Sequence, residues 1–99
     1  MINFLSETKE EISDAGYTPE QIVFIGSLDR RVSCSWLGFQ LSADFEYNNS
    51  YGDNLIPLDL EIIFNDGARL IREEYDGAEN WRFLKALDAE KIKWGVLTF

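Results

Sequence analysis

Carboxylates are the side chains in this sequence that could do chemistry. Eighteen Asp and Glu stand against nine Lys and Arg, with no histidine and one cysteine, for a formal net charge of −9. Glu73, Asp76 and Glu79 lie close enough along the chain to suggest the carboxylate pair of a glycoside hydrolase. Such a pair works only where an apolar pocket drives the two pKa values apart, and the neighbouring sequence supplies no such pocket. The missing histidine removes the commonest general base and the commonest metal ligand. A calcium loop needs oxygen ligands at regular D-x-D-x-D-G positions, a spacing that Asn48, Asn49 and Asp53 do not meet. The glycines match no phosphate-binding loop. These absences predict a protein that is not an enzyme and holds neither metal nor cofactor. Cys34 excludes an intramolecular disulfide and, between Val32 and Trp36, is expected to be a small core residue rather than a nucleophile.

Binding is the remaining chemistry, and the charge is uneven. Residues 1–80 carry sixteen carboxylates and five bases, whereas Arg82, Lys85, Lys91 and Lys93 outnumber Asp88 and Glu90 in the last nineteen residues. An acidic body repels phosphates, so direct nucleic-acid binding is not expected, and basic protein surfaces are the natural partners. The stretch 44–61 holds five carboxylates and no base, and the Glu73–Glu79 run adds more. The expected partner-binding set is therefore Asp44, Glu46, Asp53, Asp59, Glu61, Glu73, Glu74, Asp76 and Glu79, with Tyr51 as the aromatic expected to be exposed. Arg30 and Arg31 read as a solvated turn, and Trp36, Trp81 and Trp94 as core. The alternative is an accessory module whose charge serves only solubility.

These residues need elements to hold them. Ninety-nine residues make one domain. The aromatic content supplies a core, and no apolar run is long enough to span a bilayer. No basic segment leads into an apolar one at the start, so the cytoplasm is the expected location. Asp66-Gly67 is a strong hairpin signal for a two-residue type I′ turn with positive φ at both positions. Centring the turn there pairs Phe64 with Arg69, Ile62 with Ile71, Leu60 with Glu73 and Leu58 with Tyr75. The opposite face then carries Asp59, Glu61, Arg72 and Glu74, with Glu61 facing Arg72 across the strands. Asp76-Gly77 gives a second turn leading into Trp81 and Phe83.

Residues 2–14 read as an amphipathic helix with Ile2, Leu5 and Ile12 inward and Gly16 as its stop. Thr18-Pro19-Glu20-Gln21 is a capping box around one helical turn, and Ile22–Ile25 is a buried strand. Residues 33–47 are ambiguous. Strict alternation of Leu37, Phe39, Leu41, Ala43, Phe45 and Tyr47 suits a strand. A helix capped by Ser35 would instead turn Trp36, Phe39, Ala43 and Tyr47 inward. Residues 48–57 form a loop, and the tail 92–99 is apolar enough to dock as a last strand. The expected fold is α+β: a twisted antiparallel sheet of 22–26, 58–64, 69–75 and about 80–84, with the N-terminal helix and a short second helix on one face.

Several segments together resemble a family of small acidic proteins of phage and prophage origin. They are Pro19-Glu20 before Ile22–Ser27, Ser35-Trp36 with Phe39, Ala43–Tyr47, Tyr51-Gly52, and Arg72-Glu73-Glu74-Tyr75-Asp76-Gly77-x-Glu79-x-Trp81. The likeness covers roughly residues 18–83. It implies a helix after Ser35, although Leu37-Gly38 stand where the family has an acidic pair, and helix is the expectation for 35–46. No activity comes with the resemblance. Small acidic phage proteins are similar, as a class, to anti-defence proteins, including anti-CRISPR inhibitors and DNA mimics. The functional expectation is an acidic inhibitor that binds a basic, nucleic-acid-binding surface of a host defence complex.

Overall fold

The computed structural model describes residues 1–50, 55–88 and 95–98, so Tyr51, Asp53, Trp94 and half of the apolar tail lie outside it, and the described tail residues 95–98 are exposed and form no strand. The fold is α+β. Strand β1 (Ile2–Asn3) runs straight into helix α1 (Phe4–Asp14). Asn3 ends the extended stretch because its side chain caps the helix, accepting the Ser6 N–H at 2.9 Å. Gly16, at φ 87°, ends it as expected. The Thr18–Gln21 capping box forms around a single 3₁₀ turn, Pro19–Gln21. The chain then enters β2 (Ile22–Ser27), β3 (Val32–Ser33), α2 (Trp36–Ser42) and β4 (Glu46–Tyr47). An antiparallel meander follows: β5 (Glu61–Phe64), β6 (Arg69–Tyr75) and β7 (Ala78–Leu84). The main sheet has the order β3-β2-β5-β6-β7, and β1 pairs with β4 in a separate two-stranded ladder.

The helical reading of 35–46 holds over α2. The Ser35 side chain accepts the Gly38 N–H at 3.0 Å, Phe39 and Ala43 are buried, and Leu37 and Leu41 point to solvent. The inward stripe of α1 is Phe4, Thr8 and Ile12 rather than Ile2, Leu5 and Ile12, because the helix starts two residues later than its pattern suggests. A bulge in the β2–β5 pairing between Ile22 and Phe24 leaves Val23 exposed in an otherwise inward-packed strand. Cys34 is exposed, not core: β3 is only two residues long, and the chain leaves the sheet at Cys34 on its way to α2.

The hairpin register differs from expectation by one residue. Asn65, Asp66 and Gly67 form a three-residue loop, closed by Phe64 N–H to Ala68 O at 2.8 Å and Gly67 N–H to Phe64 O at 2.9 Å. Only Gly67 has positive φ, at 91°. The Asp66 carboxylate accepts the Ala68 N–H at 2.9 Å and the Tyr17 hydroxyl, which favours this loop over a two-residue one. The strands therefore pair Ile62 with Leu70 and Glu61 with Ile71. The two-residue type I′ turn sits instead at Asp76-Gly77, with φ of 52° and 88°, pairing Tyr75 with Ala78.

A one-residue slip turns a whole strand over. Ala68, Leu70 and Arg72 face the core, while Arg69, Ile71 and Glu73 face outward. Arg72, expected on the wet face opposite Glu61, is among the most buried side chains of the protein. At Gly67 a Cβ would meet nothing within 4 Å, so substitution there costs backbone strain alone. Gly67→Val is expected to lose roughly 1–2 kcal/mol and Gly67→Asn much less, read as denaturant midpoints. Equal stability of Gly67→Val and the parent would place the turn wrongly.

Candidate functional site

The expected acidic residues divide into three groups. Asp59, Glu61 and Glu73 are matched by arginines: Arg30 Nε at 2.6 Å, Arg69 Nη1 at 3.0 Å and Arg82 Nη1 at 3.8 Å. The Arg30 guanidinium and the Ser27 hydroxyl hold the Asp59 carboxyl below its ordinary value. The Arg69 and Arg82 pairs lie on the outer face of the sheet, which is therefore locally balanced in charge. Glu79 does not reach the surface; it is 3% exposed, beside Trp81 on the inward face of β7, and its Oε2 has no hydrogen-bond partner among the described residues. It leaves the proposed surface, and the sequence carried the signal: Glu79 and Trp81 alternate in phase on one strand.

Asp44, Glu46, Glu74 and Asp76 form the third group, and all are exposed. Asp44 Oδ1 accepts the Asn3 side chain at 2.9 Å, and Glu46 lies opposite Asn3 in the β1–β4 ladder. This ladder sets both carboxylates beside the start of α1. The chain leaving β4 then touches β7, where the Glu79 N–H donates to Asn49 O at 2.7 Å. Glu79 is paired with Glu74, next to the Asp76-Gly77 turn. The Glu74 carboxylate accepts the Gly77 N–H at 2.7 Å, which fixes it against that turn. A continuous run of contacts thus links α1, β4 and the β6–β7 turn.

Helix α1 extends this strip with carboxylates outside the expected partner-binding set. Glu7, Glu10, Glu11 and Asp14 recur three and four apart, so they neighbour one another along one side. Burial and the nearby Asp14, Glu7 and Glu10 push the Glu11 carboxyl above its usual value. No base sits in the last turn, where the helix dipole favours one. Arg72 offsets part of this repulsion by pairing with Glu7 and attracting Glu11, while Glu10, Glu11 and Asp14 make no ion pair among the described residues.

Glu7 alone turns inward, and what it meets holds the strip in place. Tyr47 donates its hydroxyl to Glu7 at 2.7 Å, and Arg72 donates to the Tyr47 oxygen at 3.1 Å. Burial, and then the Glu7 hydrogen bond, push the Tyr47 phenol up to about 12. The Arg72 guanidinium lies over the rings of Trp81, Phe4 and Tyr47, at 5.0, 5.1 and 5.9 Å from their centroids. Trp81 Nε1 donates to Thr8 Oγ1 at 2.9 Å, which ties α1 to β7 directly. Among the described residues no group of three or more His, Cys, Asp or Glu could hold a metal ion, and no helix is long and apolar enough to cross a membrane. No protein-family model, curated protein or solved structure matches the chain.

Proposed function

We propose that this chain is a non-enzymatic acidic interaction protein. Its strip of α1, β4 and the β6–β7 turn docks on a basic, nucleic-acid-binding surface of a host protein complex. One observation carries the reading: carboxylates without an arginine partner gather on this strip, among them Glu10, Glu11 and Asp14 on one side of α1, whose last turn holds no base. Surfaces that sacrifice stability in this way are common at functional sites. The carboxylates imagined as an acid/base pair support no catalytic reading, since Glu79 is core, Glu73 is ion-paired and Asp76 occupies a turn. Occupying a surface that otherwise holds nucleic acid is the action of an inhibitor. With the resemblance to small phage proteins, this points to an anti-defence role of the anti-CRISPR type.

Because the charges are pre-organised on rigid elements, they act mainly on encounter rate and lose strength as salt screens them beyond a Debye length of about 10 Å at 0.1 M. The test is a parallel capture from bacterial lysate by the parent and by a Glu10→Lys, Glu46→Lys, Asp76→Asn variant. All three positions are exposed, so the melt should shift by less than about 0.5 kcal/mol. Proteins held by the parent should be lost to the variant and displaced by duplex DNA and by salt. Equal retention by both chains, with equal salt dependence, would leave only an accessory module.

A further inference from the structure

Beside the strip lies an apolar groove of about 210 Å³, walled by Phe4, Phe39, Ala43, Phe45, Leu55 and Ile56, with Cys34 on its rim. We propose that this groove takes one apolar side chain of the basic partner, as the anchor around which the charged contacts are arranged. The proposal rests on the docking function above. Size favours an anchor over a free ligand. Pockets for drug-sized molecules run to about 300–1,000 Å³, whereas interface hot spots seat single side chains in small desolvated pockets.

Charge identifies the occupant. Apart from Phe4, every residue lining the groove comes from the stretch 32–68, which contains no Lys or Arg; Asp59 and Glu61 in it are matched by Arg30 and Arg69, while Asp44 and Glu46 are exposed and make no ion pair among the described residues. Asp44 and Glu46 flank the wall residue Phe45. A second copy of the chain, at −9, would bring like charge to this rim. A leucine or phenylalanine set between lysines or arginines brings the opposite charge, and its side chain meets an aromatic wall. Leu55, at 58% exposed, leaves the mouth open and apolar while its removal disturbs little of the core.

The natural single cysteine reports occupancy without further engineering. Three short synthetic peptides serve as probes: a leucine flanked by lysines, a serine flanked by lysines, and a leucine flanked by glutamates. The lysine–leucine peptide should shift the amide signals of Phe39, Ala43 and Phe45 and slow alkylation of Cys34. It should bind about tenfold more tightly than its serine twin, the factor that ~1.4 kcal/mol of apolar burial supplies. Leu55→Ser should remove that advantage while leaving the serine peptide's weaker binding intact. Equal binding of the two lysine peptides, with Cys34 unprotected, would overturn the anchor while the acidic docking stands. Binding by the glutamate peptide, or protection of Cys34 by raised protein concentration alone, would also overturn it. Failure of every lysine peptide to bind would end both readings.

Discussion

Arg72→Ala should destabilise the protein by roughly 3–5 kcal/mol, chiefly the cost of emptying a large buried site. The side chain is 1% exposed and Glu7, its ionic partner at 3.5 Å, is 16% exposed. Alanine would leave a cavity bordered by Phe4, Tyr47 and Trp81, and would strip the Tyr47 oxygen of its donor. The guanidinium is itself imperfectly matched, since its Nε has no hydrogen-bond partner among the described residues. Arg72→Met should therefore cost far less, about 1 kcal/mol, because volume is kept and Glu7 can turn toward water. Urea melts of the two variants separate packing from charge. If methionine costs as much as alanine, the charge pairing holds α1; if neither moves the midpoint, the site is not part of the stability of the fold.

Gly26→Ala is the second large effect, expected at about 2–3 kcal/mol. A Cβ on Gly26 would lie 2.0 Å from the Val32 carbonyl oxygen and 2.8 Å from the Ser33 Cα, both backbone atoms. The φ of 155° adds strain for any L side chain. The neighbouring backbone cannot withdraw cheaply, because Gly26 pairs with Ser33 and the Cys34 N–H donates to Ile25 O at 3.0 Å. Relief means giving up β3. The damage should thus be local, and Cys34 alkylation should accelerate alongside the lowered melt. A stable variant with an unchanged thiol rate would show that β3 contributes nothing to closing this edge.

The sequence made the elements legible but not the phase of one strand. Asp-Gly occurs twice, at 66–67 and 76–77, and the dipeptide alone does not say which copy makes the two-residue turn. The choice was made by Asp66, whose carboxylate binds Ala68 locally and Tyr17 from a distant part of the chain. Tertiary contacts of that kind leave no local pattern. Their consequence was large, because the slip carried Arg72 from a charged face into the core. At 35–46 the alternation favoured a strand, yet the expected helix capped by Ser35 is what forms, over Trp36–Ser42. Leu37 and Leu41 look like core residues in any register, and α2 leaves them in solvent at 66% and 77% exposure. Asp44, Glu46, Glu74 and Asp76, which charge density singles out, are exposed. The α1 carboxylates were missed because a two-residue ladder, β1 with β4, brings them alongside, and two residues carry no periodicity.

That ladder also bears on the expected order of assembly. The β5–β6–β7 meander closes through two tight turns, so its contacts are local and cost little chain entropy to form. Pairing Ile2 with Tyr47 closes a far longer loop, and it gains most once Trp81 and Arg72 are already in place to receive Thr8 and Glu7. The N-terminal helix is accordingly expected to dock last, with the lowest hydrogen-exchange protection of the fold. A chain caught midway through folding carries the same net charge as the native one but has not yet brought its acidic groups together.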